Sequence, residues 1–394
     1  MNTRVLISGL GIAGPTLAWW LNRSGFEPTI LERAPAPRKG GHMIDFWGAG
    51  FDVAERMGLL GKLRERDHRI EEVRFVDAAG NRVGGLDATV WRKALGERLI
   101  SLRRSDLAAI LHEAVRDDLE CLFGDSLAAL SQDDEGVSAT FESGRSRRFD
   151  LVVGADGLHS RVRSLAFGAE ARFERFLGYD AASYTIPDYP ESSGRAYVSY
   201  SAPGKQAARY RFRDGGTGVL LLFRRPDGAA DGLLDEPAQK RLLRETFDDA
   251  GWECRDLLAG MDDADDFYFD SISQIEMSAW SRGRVALVGD AASCPSLISG
   301  QGAALAMAGA YAMAGELKLA GGDHRTAFAR YEEVLRPLVQ WRQRSARRFA
   351  GSFIPHTGFG VWLRNVTTRL MSVPVVAKWF LKRYIADPFE LKEY

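Results

Sequence analysis

The first thirty-three residues constrain this chain more than any other stretch. Arg4-Val5-Leu6-Ile7-Ser8 is a short apolar run of strand type, followed at once by Gly9-Leu10-Gly11-Ile12-Ala13-Gly14 and a helix-like segment from Pro15 to Asn22. A second strand, Pro28-Thr29-Ile30-Leu31, ends at Glu32-Arg33. Each glycine has a physical task in such a unit: one makes the tight turn, one lets backbone approach a pyrophosphate, and one allows helix to pack closely on strand. The helix N-terminus offers unpaired N–H groups and a partial positive charge to the phosphates. Glu32, about twenty residues on, stands where an acidic side chain accepts hydrogen bonds from a ribose. Strand, glycines, helix, strand and acid in this order predict a dinucleotide site.

With 394 residues, the chain exceeds one simple core and suggests two domains, or one domain with a large insertion. Its net charge of −1 and the absence of a basic stripe interleaved with aromatics before the C-terminal third argue against nucleic acid. Cys121, Cys254 and Cys294 are far apart and odd in number, so neither a disulfide framework nor a zinc site is expected. His68, His112, His159, His324 and His356 have no ligand spacing, which also predicts no metal. The chain enters its nucleotide strand without room for a signal peptide and has no apolar run of membrane-spanning length, so a cytoplasmic protein is expected.

Beyond Glu32, residues 33–41 form a Pro- and Gly-rich basic loop, followed by the strand-like His42 to Trp47. Phe51 to Leu63 reads as one amphipathic helix, and Leu107 to Val115 as another, capped by Ser105 or Asp106. From about Ala182 to Met277 the pattern becomes that of antiparallel strands, which resembles a mixed sheet inserted into the nucleotide domain to roof a ligand pocket. The expected architecture is α/β: a discontinuous Rossmann-like domain of residues 1–70, 100–180 and 278–330, a substrate domain of 71–99 and 181–277, and a helical segment of 331–394. That last segment mixes Trp362, Leu363, Val366 and Leu370 with Arg364, Arg369, Lys378, Lys382 and Arg383. A basic amphipathic helix can lie on a membrane surface, but packing across both domains with its charges in water is the favoured expectation.

Two further signatures complete the pattern: Gly154-Ala155-Asp156-Gly157 with Ser160, Val162 and Arg163 behind it, and Gly289-Asp290-Ala291-Ala292 with Pro295 and the glycines at 300 and 302. Together with the N-terminal turn, this set resembles the FAD-dependent class A monooxygenases, the single-chain aromatic hydroxylases typified by p-hydroxybenzoate hydroxylase. The finer texture from Asp290 to Gly302 is most similar to the branch containing tetracycline-inactivating enzymes and polyketide hydroxylases. The resemblance implies that Gly9, Gly11, Ala13 and Gly14 cradle FAD, with Glu32 on the adenosine ribose and Arg33 beside it. It places Arg104 on FAD, Asp156 on the motif associated with FAD and NADPH use, and Gly289 and Asp290 at the ribityl or ribose region. Gly300, Gly302 and Ala303 would open a helix toward the flavin ring, where its dipole favours the anionic reduced state. Ser293 and Ala304 depart from the family, where His and Asn are common, and this bears on which substrate sits beside the ring.

The implied activity is NAD(P)H-consuming hydroxylation of an aromatic or polycyclic small molecule by O2 through a flavin C4a-hydroperoxide, in a site that excludes water. A flavin oxidase or dehydrogenase on the same fold, and a flavin-binding protein without turnover, are the alternatives. A monomer or homodimer is expected. Candidate catalytic residues are His42, Asp45 and Pro295; His42 either moves a proton or is a structural histidine. Cys294 reads as a small buried thiol. Tyr184, Tyr210, Phe212 and Phe223 are candidate substrate contacts, set against ordinary sheet packing.

Overall fold

The computed structural model describes residues 3–37, 40–190, 194–225, 234–380 and 390–394. Arg38 and Lys39 of the basic loop, and Lys382 and Arg383 near the C-terminus, lie outside the described residues.

The nucleotide sheet has six strands in the order 281–282, 285–287, 151–154, 4–8, 27–32, 120–123. All neighbours are parallel except the edge pair Ser281–Arg282 and Val285–Leu287. Its strands are near-continuous apolar runs because both faces are covered: Val5, Leu6, Ile7, Ile30, Val152 and Val153 are all fully buried. Helices Ala13–Arg23 and Gly302–Leu319 pack against each other beside this sheet. A three-stranded antiparallel sheet of residues 127–132, 137–141 and 146–149 contributes Val137, Phe141 and Phe149 to the same core. Helix Gly302–Leu319 is buried on every side from Ala304 to Leu317, and its small residues permit close approach. A Cβ on Gly50 would lie 2.5 Å from Ala304 Cα.

A second sheet of seven strands runs in the order 268–275, 174–186, 217–224, 205–211, 196–202, 72–76, 82–87. It is antiparallel except where Glu72–Val76 lies parallel to Ala196–Ala202. Alternate residues point to opposite faces. One face buries Tyr184, Leu221 and Phe223 against Phe247 and Leu257 of helices Glu236–Phe247 and Cys254–Ala259. The other turns toward a two-stranded antiparallel sheet of residues 43–46 and 100–103, where the Met43 N–H donates to the Tyr210 hydroxyl at 2.8 Å.

Helix His324–Phe353 ties the two sheets together. Its Gln343 side chain donates to the carbonyls of Ile275 and Cys294, while Arg347 reaches Gln274 and Glu276. Helix Gly358–Leu370 then packs on the outer strand Arg82–Asp87. The chain end returns to helix Gly302–Leu319, where Lys392 pairs with the fully buried Glu316 at 2.8 Å.

Several sequence expectations need correction. The helix expected over Phe51 to Leu63 is two helices, Ala49–Arg56 and Leu60–Glu65, because Gly58 sits at φ +72° between them. The helix expected to begin after a Ser105 or Asp106 cap begins at Arg104, following an extended Arg103 with no side-chain cap. Strand Glu174–Ile186 was not anticipated; a register shift between Phe176 and Asp180 interrupts its alternation, and the fully buried Asp180 pairs with Arg225. That strand crosses the limit expected at 180/181, and helix His324–Phe353 crosses the one at 330/331. We propose limits at 173/174 and 323/324 instead.

Candidate functional site

Strand Arg4–Ser8 delivers the chain into the glycine turn, where the Gly9 N–H donates to the Leu31 carbonyl at 2.7 Å. The three turn glycines serve different ends. A Cβ on Gly9, at φ +113°, would lie 2.5 Å from the Ala155 carbonyl oxygen, and one on Gly14 would lie 1.9 Å from that of Gly9. Those two are demanded by the protein's own packing. A Cβ on Gly11 would meet only Arg104 Nη2, at 3.9 Å, so its open side is left for something else. Helix Ala13–Arg23 begins with no side-chain cap and no acid in its first turn, leaving its N–H groups aimed past Gly11. Both oxygens of Glu32 accept backbone N–H groups, from Leu10 and Ala34 at 2.9 Å each, which fixes the carboxylate at the turn's edge. Arg33 is exposed beside it.

At the other end of the cleft, Gly289 at φ +64° turns the strand Val285–Leu287 into the short helix Asp290–Ser293. Gly300 at φ +61° then leads to helix Gly302–Leu319, which also starts without a side-chain cap or an acid, with Ala303 in its first turn. Asp290 Oδ1 lies 3.8 Å from where a Gly302 Cβ would be. Burial raises the Asp290 pKa while the Arg104 charge lowers it. The same Arg104 charge acts on His42 and Tyr268, and the Arg104 N–H donates to the His42 carbonyl at 3.1 Å. The exposed Arg104 side chain makes no hydrogen bond or ion pair among the described residues. An unpaired guanidinium, two uncapped helix termini and a glycine with an open side fit FAD, with its pyrophosphate at Gly11 and Arg104.

Asp156 follows strand Leu151–Gly154 and is held within the protein. Its carboxylate accepts the Ser160 hydroxyl at 2.5 Å and the Val162 N–H at 3.0 Å, so it organises the start of helix Arg161–Ala166. Arg163, fully buried, donates to the carbonyls of Leu158 and Ala291 and pairs with Glu170 at 2.6 Å, which ties this segment to the Asp290 helix. Between the two sheets, His159 is held by Glu170 at 2.8 Å and Asp270 at 3.1 Å, and these carboxylates raise its pKa to about 10. The imidazolium thus contributes stability in full below the ordinary histidine value of about 6.5 and loses it as pH rises toward 10. His159 is half exposed, so screening limits the gain to about 1 kcal/mol. The unfolding temperature is expected to fall between pH 6.5 and 10, and His159→Gln to flatten that part of the profile in a thermal-melt series.

A second polar group sits on the two-stranded sheet of residues 43–46 and 100–103. Asp45, on strand Met43–Phe46, accepts the Ser101 hydroxyl at 2.6 Å, and the Ser101 N–H donates in turn to Asp67, which pairs with Arg92 at 2.9 Å. Burial raises the Asp45 pKa, against opposing pulls from Ser101 and Arg92. Yet Asp45 has open surface, and Tyr268 is 41% exposed while burial dominates its pKa too. Tyr197 stacks on Tyr210 with centroids 5.5 Å apart and feels the Asp45 charge. His42, lowered to about 4 by burial and then by Arg104, is a neutral imidazole at pH 7.

The other candidates go elsewhere. Tyr184 donates its hydroxyl to the Leu257 carbonyl, and Phe223 packs on Phe247; both belong to the core on the far face of the sheet, because strand alternation turns them away. Phe212 is buried beneath Arg103 and His68. The Pro295 carbonyl accepts the Gln274 amide at 3.0 Å, leaving it a shaping role. Sequence reasoning missed Ser101, Tyr268 and Ser296. Ser296, next to Pro295, adopts φ 84° and ψ 158°, a region almost reserved for glycine, and its buried hydroxyl lacks a hydrogen-bond partner among the described residues. No local sequence signal marks such strain. Ser296→Gly is expected to relieve about 1–3 kcal/mol of strain, less about 0.5–1 kcal/mol for the freer unfolded chain, and so to raise the denaturant midpoint.

A glycine turn open beside one uncapped helix terminus, with a second uncapped terminus at Gly302, would hold the pyrophosphate and ring of a flavin dinucleotide. Residues 2–205 match the FAD binding domain family. A flavin-dependent monooxygenase from an unidentified prokaryote is 38% identical over 360 residues, covering 91% of this chain and 89% of that protein. One from Legionella longbeachae serogroup 1 is 36% identical over 378 residues, covering 92% and 89%. Among solved structures, tetracycline destructase Tet(51) superposes with a TM-score of 0.85 at 35% identity, covering 100% of both chains. The chain belongs to the FAD-binding class A flavin-dependent monooxygenases.

Proposed function

We propose that this monooxygenase hydroxylates an aromatic or polycyclic small molecule, taking its electrons from NAD(P)H and its oxygen atom from O2. The observation that carries this reading is the unpaired Arg104 guanidinium 3.9 Å from the open side of Gly11, with Asp290 beside the uncapped start of helix Gly302–Leu319. FAD, when bound, supplies the redox and oxygen chemistry. The chain's residues supply its surroundings. Arg104 and the first turn of helix Ala13–Arg23 neutralise the pyrophosphate, Glu32 accepts from a ribose hydroxyl, and Asp290 from the ribityl chain. The uncapped terminus of helix Gly302–Leu319 favours negative charge on the ring. Asp45, with one oxygen occupied by Ser101, keeps the other for a substrate hydroxyl and can take up or return its proton. Neutral His42 adds a donor or acceptor without a charge, and stacked Tyr197 and Tyr210 offer a flat wall to a ring. Likeness to a tetracycline destructase supports a polycyclic substrate. Only one dinucleotide turn is present in the sequence, which favours transient NAD(P)H binding at the flavin face.

The test is anaerobic addition of NADPH or NADH to the purified yellow protein, then air with a panel of phenolic and polycyclic compounds. Bleaching, reoxidation and a product heavier by one oxygen atom are expected. A flavin that neither nucleotide bleaches would favour an oxidase or carrier and defeat the proposal.

A further inference from the structure

Helix Gly358–Leu370 is inside out. The residues it turns toward the protein are polar: Asn365 and Thr368 are buried, and a Cβ on Gly84 would lie 2.6 Å from the Asn365 carbonyl oxygen. Arg364 also points inward, its guanidinium 4.3 Å from the centre of the Phe75 ring and hydrogen-bonded to the Phe353 carbonyl. The outward residues are apolar, with Phe359 69% exposed, Trp362 57% and Leu370 58%. A helix bathed in water presents the reverse arrangement. The pattern continues into neighbouring turns: of the eleven large hydrophobic residues exposed among the described residues, eight lie between Phe353 and Val375. Scattered exposed hydrophobics are ordinary, but a contiguous patch of this kind marks an interaction surface.

Charge identifies the partner. From Val334 through Ala386 the sequence carries ten Lys and Arg residues and no Asp or Glu, in a chain whose net charge is −1. Several of the ten are engaged inside the protein, among them Arg336, Arg347 and Arg364. Arg369 donates to the Val83 carbonyl at 2.8 Å, while Arg348, beside Phe349, and Lys378, near Val375, are exposed. A second copy of the chain docked by a twofold axis would bring this same basic surface against itself, and like charges would oppose it. An anionic lipid surface satisfies both components, taking the aromatic and aliphatic side chains into its interface and the cations to its headgroups. No described helix is long and apolar enough to cross a membrane, and surface docking requires none. We propose that the outer face of helix Gly358–Leu370, with the adjoining turns, docks this enzyme on anionic phospholipid bilayers.

The test is co-sedimentation of the FAD-loaded full chain with phosphatidylglycerol-containing vesicles and with pure phosphatidylcholine vesicles. Pelleting with the first, weakened by salt, is expected. The double variant Trp362→Glu, Leu370→Glu should lower the bound fraction about tenfold or more, with flavin spectrum and melting temperature unchanged because both side chains are exposed. Arg348→Glu with Lys378→Glu should remove the preference for anionic lipid. The proposal is overturned if the wild-type chain stays in the supernatant, if it binds neutral vesicles equally, or if the folded apolar variant pellets as before. It is also overturned if light scattering shows that the face closes a dimer which the same variant dissolves.

Discussion

Gly11→Val is expected to yield a folded protein that purifies without FAD. The argument rests on what each turn glycine faces. A side chain at Gly9 or Gly14 would collide with backbone at 2.5 Å or less, so those substitutions test folding. At Gly11 the nearest atom is the end of the flexible Arg104 side chain, 3.9 Å away, so valine fits the apoprotein. It would instead occupy the side from which the pyrophosphate approaches the helix N-terminus. Overpacking costs about 1–3 kcal/mol, and each ~1.4 kcal/mol is tenfold in affinity, before any loss of N–H contacts to phosphate. Absorbance at the flavin band against protein, with circular dichroism to verify folding, checks this. Full flavin content in a folded Gly11→Val protein would place the nucleotide elsewhere.

Asp45→Asn is expected to give the largest loss of turnover without loss of flavin. Asparagine preserves the shape and can keep a contact to Ser101, but it cannot exchange a proton with substrate. Positioned acid–base groups contribute about 10²–10⁴-fold, so kcat/KM should fall within that range while FAD stoichiometry stays constant. Ser101→Ala removes one hydrogen bond worth about 0.5–1.5 kcal/mol. Because that bond lowers the Asp45 pKa, its loss should move the acidic limb of the pH–rate profile upward. A wild-type rate and profile in Asp45→Asn would remove Asp45 from the chemistry.

The parts of the fold that obey local rules were readable in the sequence. The glycine turn, the acid at the end of the second strand and the Gly-Asp segment lie where spacing put them, because a tight turn and an uncapped helix need particular residues at particular offsets. Strand Glu174–Ile186 was hidden because its alternation breaks at the bulge and it carries a buried aspartate whose partner, Arg225, is 45 residues away. The faces of Tyr184 and Phe223 depend on sheet register, which an isolated strand cannot declare. Asp45 stood out as a polar residue after the glycine loop, whereas its link to Ser101 spans 56 residues and required the tertiary fold. The inverted helix escaped because amphipathic spacing gives a helix two faces without saying which one is buried.

The strand order of the nucleotide sheet also sets a timetable for synthesis. Leu151–Gly154 sits between Arg4–Ser8 and Val285–Leu287, so one of its edges waits for a partner about 130 residues further along the chain. At ~5–20 residues per second, translation takes roughly 7–26 s to supply it. During that interval the nascent chain exposes an apolar, unpaired parallel edge beside the ribosome, and helix Gly302–Leu319 arrives later still to cover the cleft. Production of this enzyme should therefore respond more to chaperone supply and slow growth temperature than the stability of the finished fold would suggest.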